Sequence, residues 1–248
     1  MRHLEPYCLT VGLARLELVR DETARDPGPD HDVAPVPVRV RVIDGALSCI
    51  ARQGVAKTTL DDVARAAGCS RATVYRVFPG GKDGVLGAVV DTEVSRFFSA
   101  LAVRMGEATD LEDVLVAGMT EAATRVTEHP ALANLLAQEP EMVLSQLAFA
   151  RMDEVLAVTC AFTTPFLGRW LDQPESKRVA EWATRIVVSH LLCPADGVDL
   201  TDAADVRRLV RLFVLPGIRA LRVPEAGART TGALQSHNPI PTTKGEAS

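Results

Sequence analysis

The sequence predicts an all-α protein in two parts: a small N-terminal unit of three helices and a larger C-terminal helical domain. Three observations predict it. Apolar residues recur at helical spacing over most of residues 38–220, with Gly and Pro between the periodic segments rather than inside them. No alternating run long enough for a strand competes, and no internal repeat is visible. Two short segments, 59–67 and 71–78, lie either side of a three-residue turn carrying Gly68, which is the pattern of a helix-turn-helix.

Each element follows from its local pattern. Residues 38–53 place Val42, Ala46, Cys49 and Ile50 on one face, and Gly54 stops the helix. Thr59 opens the second helix with Asp62 three residues on, a capping box in which each side chain satisfies the other's backbone amide. Ser70 caps the third helix, which points Val74 and Phe78 inward against Val63 and Ala67. A long fourth helix follows Lys82, carrying Val85, Val89, Phe97 and Leu101, with Gly84 and Gly87 weakening its first turns. Asp110 with Asp113 predicts a second capping box, opening a fifth helix that ends at His129 before Pro130. Helices are expected over 131–139 and from 141 to about 162, with Pro165 marking a break, and the last two over 174–192 and 202–220.

Composition bounds the class. The 248 residues are 47% hydrophobic, enough for a real core, which excludes disorder for the body of the chain. Residues 1–35, dense in proline and acids towards their end, read as a flexible leader, and 224–248 as a flexible tail. Between them we expect a first domain over 36–84 and a second over 85–223. The net charge of −5 argues against a whole-chain nucleic-acid coat, yet residues 36–90 hold eight basic residues against four acids. Five scattered cysteines without a close pair make neither a disulfide framework nor a zinc site, and no run is apolar enough to span a membrane, so a cytoplasmic protein without metal or cofactor is expected. Cys160 and Cys193 read as small core residues, and His129 and His190 as structural histidines without a carboxylate partner at metal spacing. No catalytic grouping is present, so an enzyme is not expected.

The third helix carries the informative chemistry. With Val74 and Phe78 inward, Arg71, Thr73, Tyr75 and Arg76 are left outward on a short exposed helix. Arg can bridge guanine O6 and N7, Thr offers a hydroxyl and a methyl, and Tyr can donate to a phosphate, so this face suits the major groove of DNA. Lys82, just before the fourth helix, suits a further phosphate.

The segments Ile43-Asp44-Gly45-Ala46-Leu47, Gly54-Val55, Thr58-Thr59-Leu60-Asp61-Asp62-Val63-Ala64, Ala67-Gly68, Ser70-Arg71-Ala72-Thr73-Val74-Tyr75 to Phe78, and Lys82-Asp83 together resemble the TetR family of bacterial transcriptional regulators. The match covers about 50 residues, with cap, turn, aromatic and lysine in register. The resemblance implies DNA contacts from Thr58, Thr59, Ser70, Arg71, Ala72, Thr73, Tyr75, Arg76 and Lys82. It further implies a homodimeric repressor that binds a palindromic double-stranded operator and is released by a small-molecule effector. The dimer would form through the last two helices, whose stripes include Val179, Trp182 and Ile186, and Leu209 and Phe213. A largely apolar effector pocket is expected among Phe97, Met119, Phe149, Met152, Phe166 and Trp170. The sequence departs from the family in its long leader and in an extra glycine in Pro79-Gly80-Gly81. The rival reading is an all-α ligand-binding protein or enzyme that has lost sequence-specific DNA binding.

Overall fold

The computed structural model describes residues 36–133 and 152–222. Phe149, the leader, the tail and the expected helices between residues 134 and 151 lie outside the described residues. Among the described residues the helical elements are, in order, α1 (Val38–Lys57), α2 (Leu60–Ala66), α3 (Arg71–Val77), α4 (Gly81–Gly106), α5 (Leu111–Thr127), α6 (Met152–Leu167), α7 (Gln173–Leu192), α8 (Ala203–Leu209) and, after a π turn at Val210–Val214, α9 (Leu215–Arg222). No strand is present among the described residues.

The helices surround two cores. Val42, Ile43, Ala46 and Ile50 of α1 meet Leu60 and Val63 of α2, Val74 of α3 and Phe78. Val85, Ala88 and Val89 of α4 belong to the same cluster, so the N-terminal core runs past residue 84 into the long helix. The remainder of α4 turns to the second core, where Leu101 and Met105 pack with Val114 and Met119 of α5, Leu167 of α6, Val179 of α7, and Val206 and Val210 from the end of the chain. One helix therefore serves both cores. Arg96 of α4 adds a polar tie, donating to Asp44 of α1 at 3.0 Å and to Glu93 at 2.7 Å. At the far end, Glu112 of α5 accepts from Arg207 at 2.7 Å and from Arg211 at 2.9 Å, holding α8 and the π turn against α5.

Several local expectations change. Pro165 does not break the chain: it lies inside α6, close enough to the end at Leu167 that only the last turn loses a hydrogen bond. The expected last helix is interrupted by the π turn just ahead of Pro216, where the widened backbone relieves the ring's clash with the preceding turn. Asp110 caps α5 by accepting from the Asp113 amide at 2.7 Å, but the Asp113 carboxylate does not reciprocate. It accepts instead from Thr109 and Arg207. The fourth helix begins at Gly81, which puts Lys82 inside its first turn rather than before it. Cys160 is buried, and burial pushes its thiol up, as suits a core residue. Cys193 is exposed at the end of α7, because the chain leaves the core there.

Candidate nucleic-acid interface

The helix-turn-helix is built by side-chain caps. Thr59 Oγ1 accepts from the Asp62 amide and Asp62 Oδ2 accepts from the Thr59 amide, each at 3.2 Å, closing the box that opens α2. The Thr59 hydroxyl, which donates to Asp62 Oδ2 at 2.6 Å, and then the Thr59 amide hold the Asp62 carboxyl below its ordinary range. Gly68 sits at φ 62, a left-handed conformation that a side chain at the turn would strain. Ser70 Oγ then accepts from the Thr73 amide at 3.1 Å and shares a second bond with the Thr73 hydroxyl at 2.9 Å. Val74 and Phe78 point into the core, and Arg39 of α1 lies over the Phe78 ring at 4.7 Å.

The opposite face of α3 is open. Arg71, Ala72, Tyr75 and Arg76 are exposed and Thr73 half-buried, with Thr59 and Ser70 exposed at the two caps. Arg71 Nη1 donates to Asp61 Oδ2 of α2 at 3.0 Å and its Nη2 to the Tyr75 hydroxyl at 3.4 Å, while Arg76 makes no ion pair among the described residues. The Tyr75 hydroxyl and then the Asp61 charge hold the Arg71 guanidinium more firmly protonated than usual. Gly81, at φ 60, lies under this face: a Cβ there would approach the Tyr75 ring to 3.4 Å.

Two expected contacts stand differently. Thr58 is only 3% exposed, because Gly54 (φ 80) kinks α1 and the Thr58 hydroxyl turns in to donate to the Gly54 carbonyl at 2.7 Å. It is a structural residue rather than a surface one. Lys82 reaches back to the end of α1, where Nζ donates to the Val55 and Ala56 carbonyls at 2.9 and 3.4 Å. One of its three donors is left for a phosphate.

A short helix with a polar, partly cationic outer face, capped and turned in this way, is what a major-groove reader requires. Residues 42–89 match the family model described as bacterial regulatory proteins, tetR family. Over that N-terminal unit the chain is similar to the TetR family. It is 29% identical over 177 residues to an uncharacterised HTH-type transcriptional regulator of Mycobacterium tuberculosis, covering 71% of this chain and 83% of that one. Among solved structures, the TetR family repressor AlkX of a Dietzia strain, implicated in biodegradation of n-alkanes, matches with a TM-score of 0.51 and 19% identity over 77% of this chain and 98% of that one. A regulator from Streptomyces coelicolor matches at 0.50 and 16%, over 70% and 96%. These two likenesses concern the fold. Residues 42–89 thus form a helix-turn-helix unit similar to that of the TetR regulators, and no helix among the described residues is long and apolar enough to cross a membrane.

A cavity of about 1350 Å³ is lined by residues of both halves of the chain. Of the expected pocket residues, Phe97, Met119 and Met152 line it, whereas Phe166 and Trp170 do not. Phe166 packs near Phe162 in the second core and Trp170 lies beneath the Arg169 guanidinium. Sequence reasoning missed Thr159 and Thr184, polar wall residues whose hydroxyls stand 3.2 Å apart across α6 and α7. It also missed that His129 has a carboxylate partner, Glu93, at 3.0 Å, since the two lie 36 residues apart. His190 bonds the Ile186 carbonyl within its own helix, as a structural histidine does.

The stripes expected at the dimer interface divide. Val179 is buried in the chain's own core, and Ile186 and Leu209 pack against it. Trp182 and Phe213 are 49% and 59% exposed, as is Leu212, next to Phe213 in the chain, at 60%.

Proposed function

We propose that the protein is a cytoplasmic repressor that binds a palindromic operator as a homodimer and lets go when a small hydrophobic molecule enters the cavity. The observation that carries this reading is that one cavity touches both halves of the molecule. Its wall takes in Ile50 and Val55 of α1, Leu86 and Val89 of α4, and Met105, Met119 and Val187 of the second core. A ligand favouring one arrangement of these walls over another shifts the angle at which α3 is presented, through its differential affinity for the two states. The mostly apolar lining sets the class of molecule. Trp182, Leu212 and Phe213 are large apolar side chains facing solvent on the last helices, and a second copy gives them a partner. Two-fold symmetry then sets the half-sites about 34–36 Å apart, or a multiple of that.

The test is selection of genomic fragments by the purified chain, then binding of the recovered duplex at two salt concentrations. We expect a palindrome bound by two copies and lost in the Arg71→Ala/Tyr75→Ala double variant. A panel of apolar molecules added to the complex, beginning with n-alkanes, in whose biodegradation the Dietzia repressor is implicated, should release the DNA. Recovery of no preferred sequence would instead favour a helical ligand-binding protein that has lost DNA recognition.

A further inference from the structure

The Arg71 side chain is held from two sides, by a carboxylate on α2 and by a hydroxyl one turn along its own helix. Its guanidinium also lies 5.6 Å from the centre of the Tyr75 ring. Asp61 is half in water, as is Arg71, with side-chain exposures of 57% and 55%, so an isolated surface pair of this kind contributes little to stability. Its position is what matters. Of the five guanidinium donors, one goes to Asp61 and one to Tyr75, which leaves three for a base edge.

Resting on the reading of α3 as the groove-reading helix, we propose that Asp61 is a positioning residue for base recognition: it fixes the Arg71 guanidinium so that it meets a guanine and not the nearest phosphate. A free arginine at a DNA surface finds phosphates at every step of the duplex, and such contacts add affinity without sequence information. An arginine tethered through two of its donors keeps the remaining ones in place and loses less freedom when a guanine presents O6 and N7. Asp61 also cancels the charge of Arg71 on arrival, so the pair adds little to the general attraction for DNA and its contribution falls on the correct base.

The experiment uses the full chain and the duplex recovered above, with a scrambled duplex of equal length. Binding is measured for the wild type, Asp61→Asn, Asp61→Glu and Arg71→Lys, and base preference by reselection from a library randomised across one half-site. A thermal melt confirms that each variant folds, as expected for exposed positions. For Asp61→Asn we expect operator binding about three- to tenfold weaker, with scrambled-duplex binding unchanged or tighter. Guanine preference at one half-site position should flatten, as it does for Arg71→Lys, and Asp61→Glu should restore part of it. A merely structural role would lower both duplexes together and leave base preference intact, which overturns the proposal. So does tighter operator binding by Asp61→Asn, which would make the carboxylate a brake. If Arg71→Lys binds with unaltered preference, the assignment of Arg71 as a reader fails while the operator-binding reading stands. If no duplex is preferred by the wild type, both fall.

Discussion

The N-terminal unit and the C-terminal domain are both helices around an apolar core, yet their side chains are placed by different rules. In the first, the bonds that shape the reader join near neighbours: Thr59 with Asp62, and Ser70 with Thr73. In the second, the deciding contacts cross long stretches of chain, as with Glu112 and the Arg207–Arg211 pair, Glu93 and His129, or Thr159 and Thr184. Local rules make a small rigid tool, because each cap stiffens its own helix end. Distant contacts make a domain whose cavity depends on how four or more helices lie together, and such an arrangement can hold two states.

The sharpest way to break this comparison is to damage each core separately. Phe78 is 4% exposed in the first core and Leu167 wholly buried in the second. Phe78→Ala should cost about 3–5 kcal/mol and Leu167→Ala about 2–5. Site-resolved hydrogen exchange should show Phe78→Ala melting α1 to α3, with DNA binding lost and the second core protected. Leu167→Ala should do the reverse. If either change opens both cores at once, α4 couples them into one cooperative unit and the two-part description fails.

The same contrast explains what the sequence disclosed. The helix-turn-helix was legible because Thr59, Asp62, Gly68 and Ser70 each act within three or four residues. Thr58 was misplaced because its burial depends on the kink at Gly54, which no spacing rule announces. In α7, Val179 and Trp182 share a helical stripe but part company in space, one in the core and one in solvent, since periodicity marks an apolar face without saying what covers it. Aromatic size suggested Phe166 and Trp170 for the cavity, whereas its wall draws more on valines and threonines such as Val187 and Thr184, which look like any core residue in sequence. The interruption near Pro216 was hidden because the periodicity continues through it.

A smaller change sharpens the contrast through pH. Hydrogen bonds from Arg211 and Arg207, with their charges, hold the Glu112 carboxyl below its ordinary value of 4.5. A carboxyl whose folded-state pKa is depressed contributes stability above the unfolded value and loses it as pH falls through the folded one. The C-terminal domain should therefore weaken as pH drops below about 4.5. Glu112→Gln should remove that part of the decline and cost about 1–2 kcal/mol at neutral pH. Urea titrations over a pH series, followed by a probe in each half, check this. The N-terminal probe should be indifferent to the substitution, and an equal response there would mean that the Glu112 cluster supports both halves.

The smallest expected effect lies in α4, the helix that serves both halves. Gly87 falls in α4 within the stretch that serves the first core, between Val85 and Ala88, beside the cavity, and a Cβ there would meet open space. Gly87→Ala should raise stability by about 0.5–1 kcal/mol, because alanine gives up less backbone freedom than glycine on entering a helix. Operator affinity should be nearly unchanged, since the face of α3 is untouched. Release by an effector should need more ligand if α4 must bend at this point to carry the signal, because a stiffer helix raises the free energy of the bent state. A gain in stability with no change in the releasing concentration would place the moving part elsewhere, at the tie between Arg96 and Asp44 that joins α4 to α1.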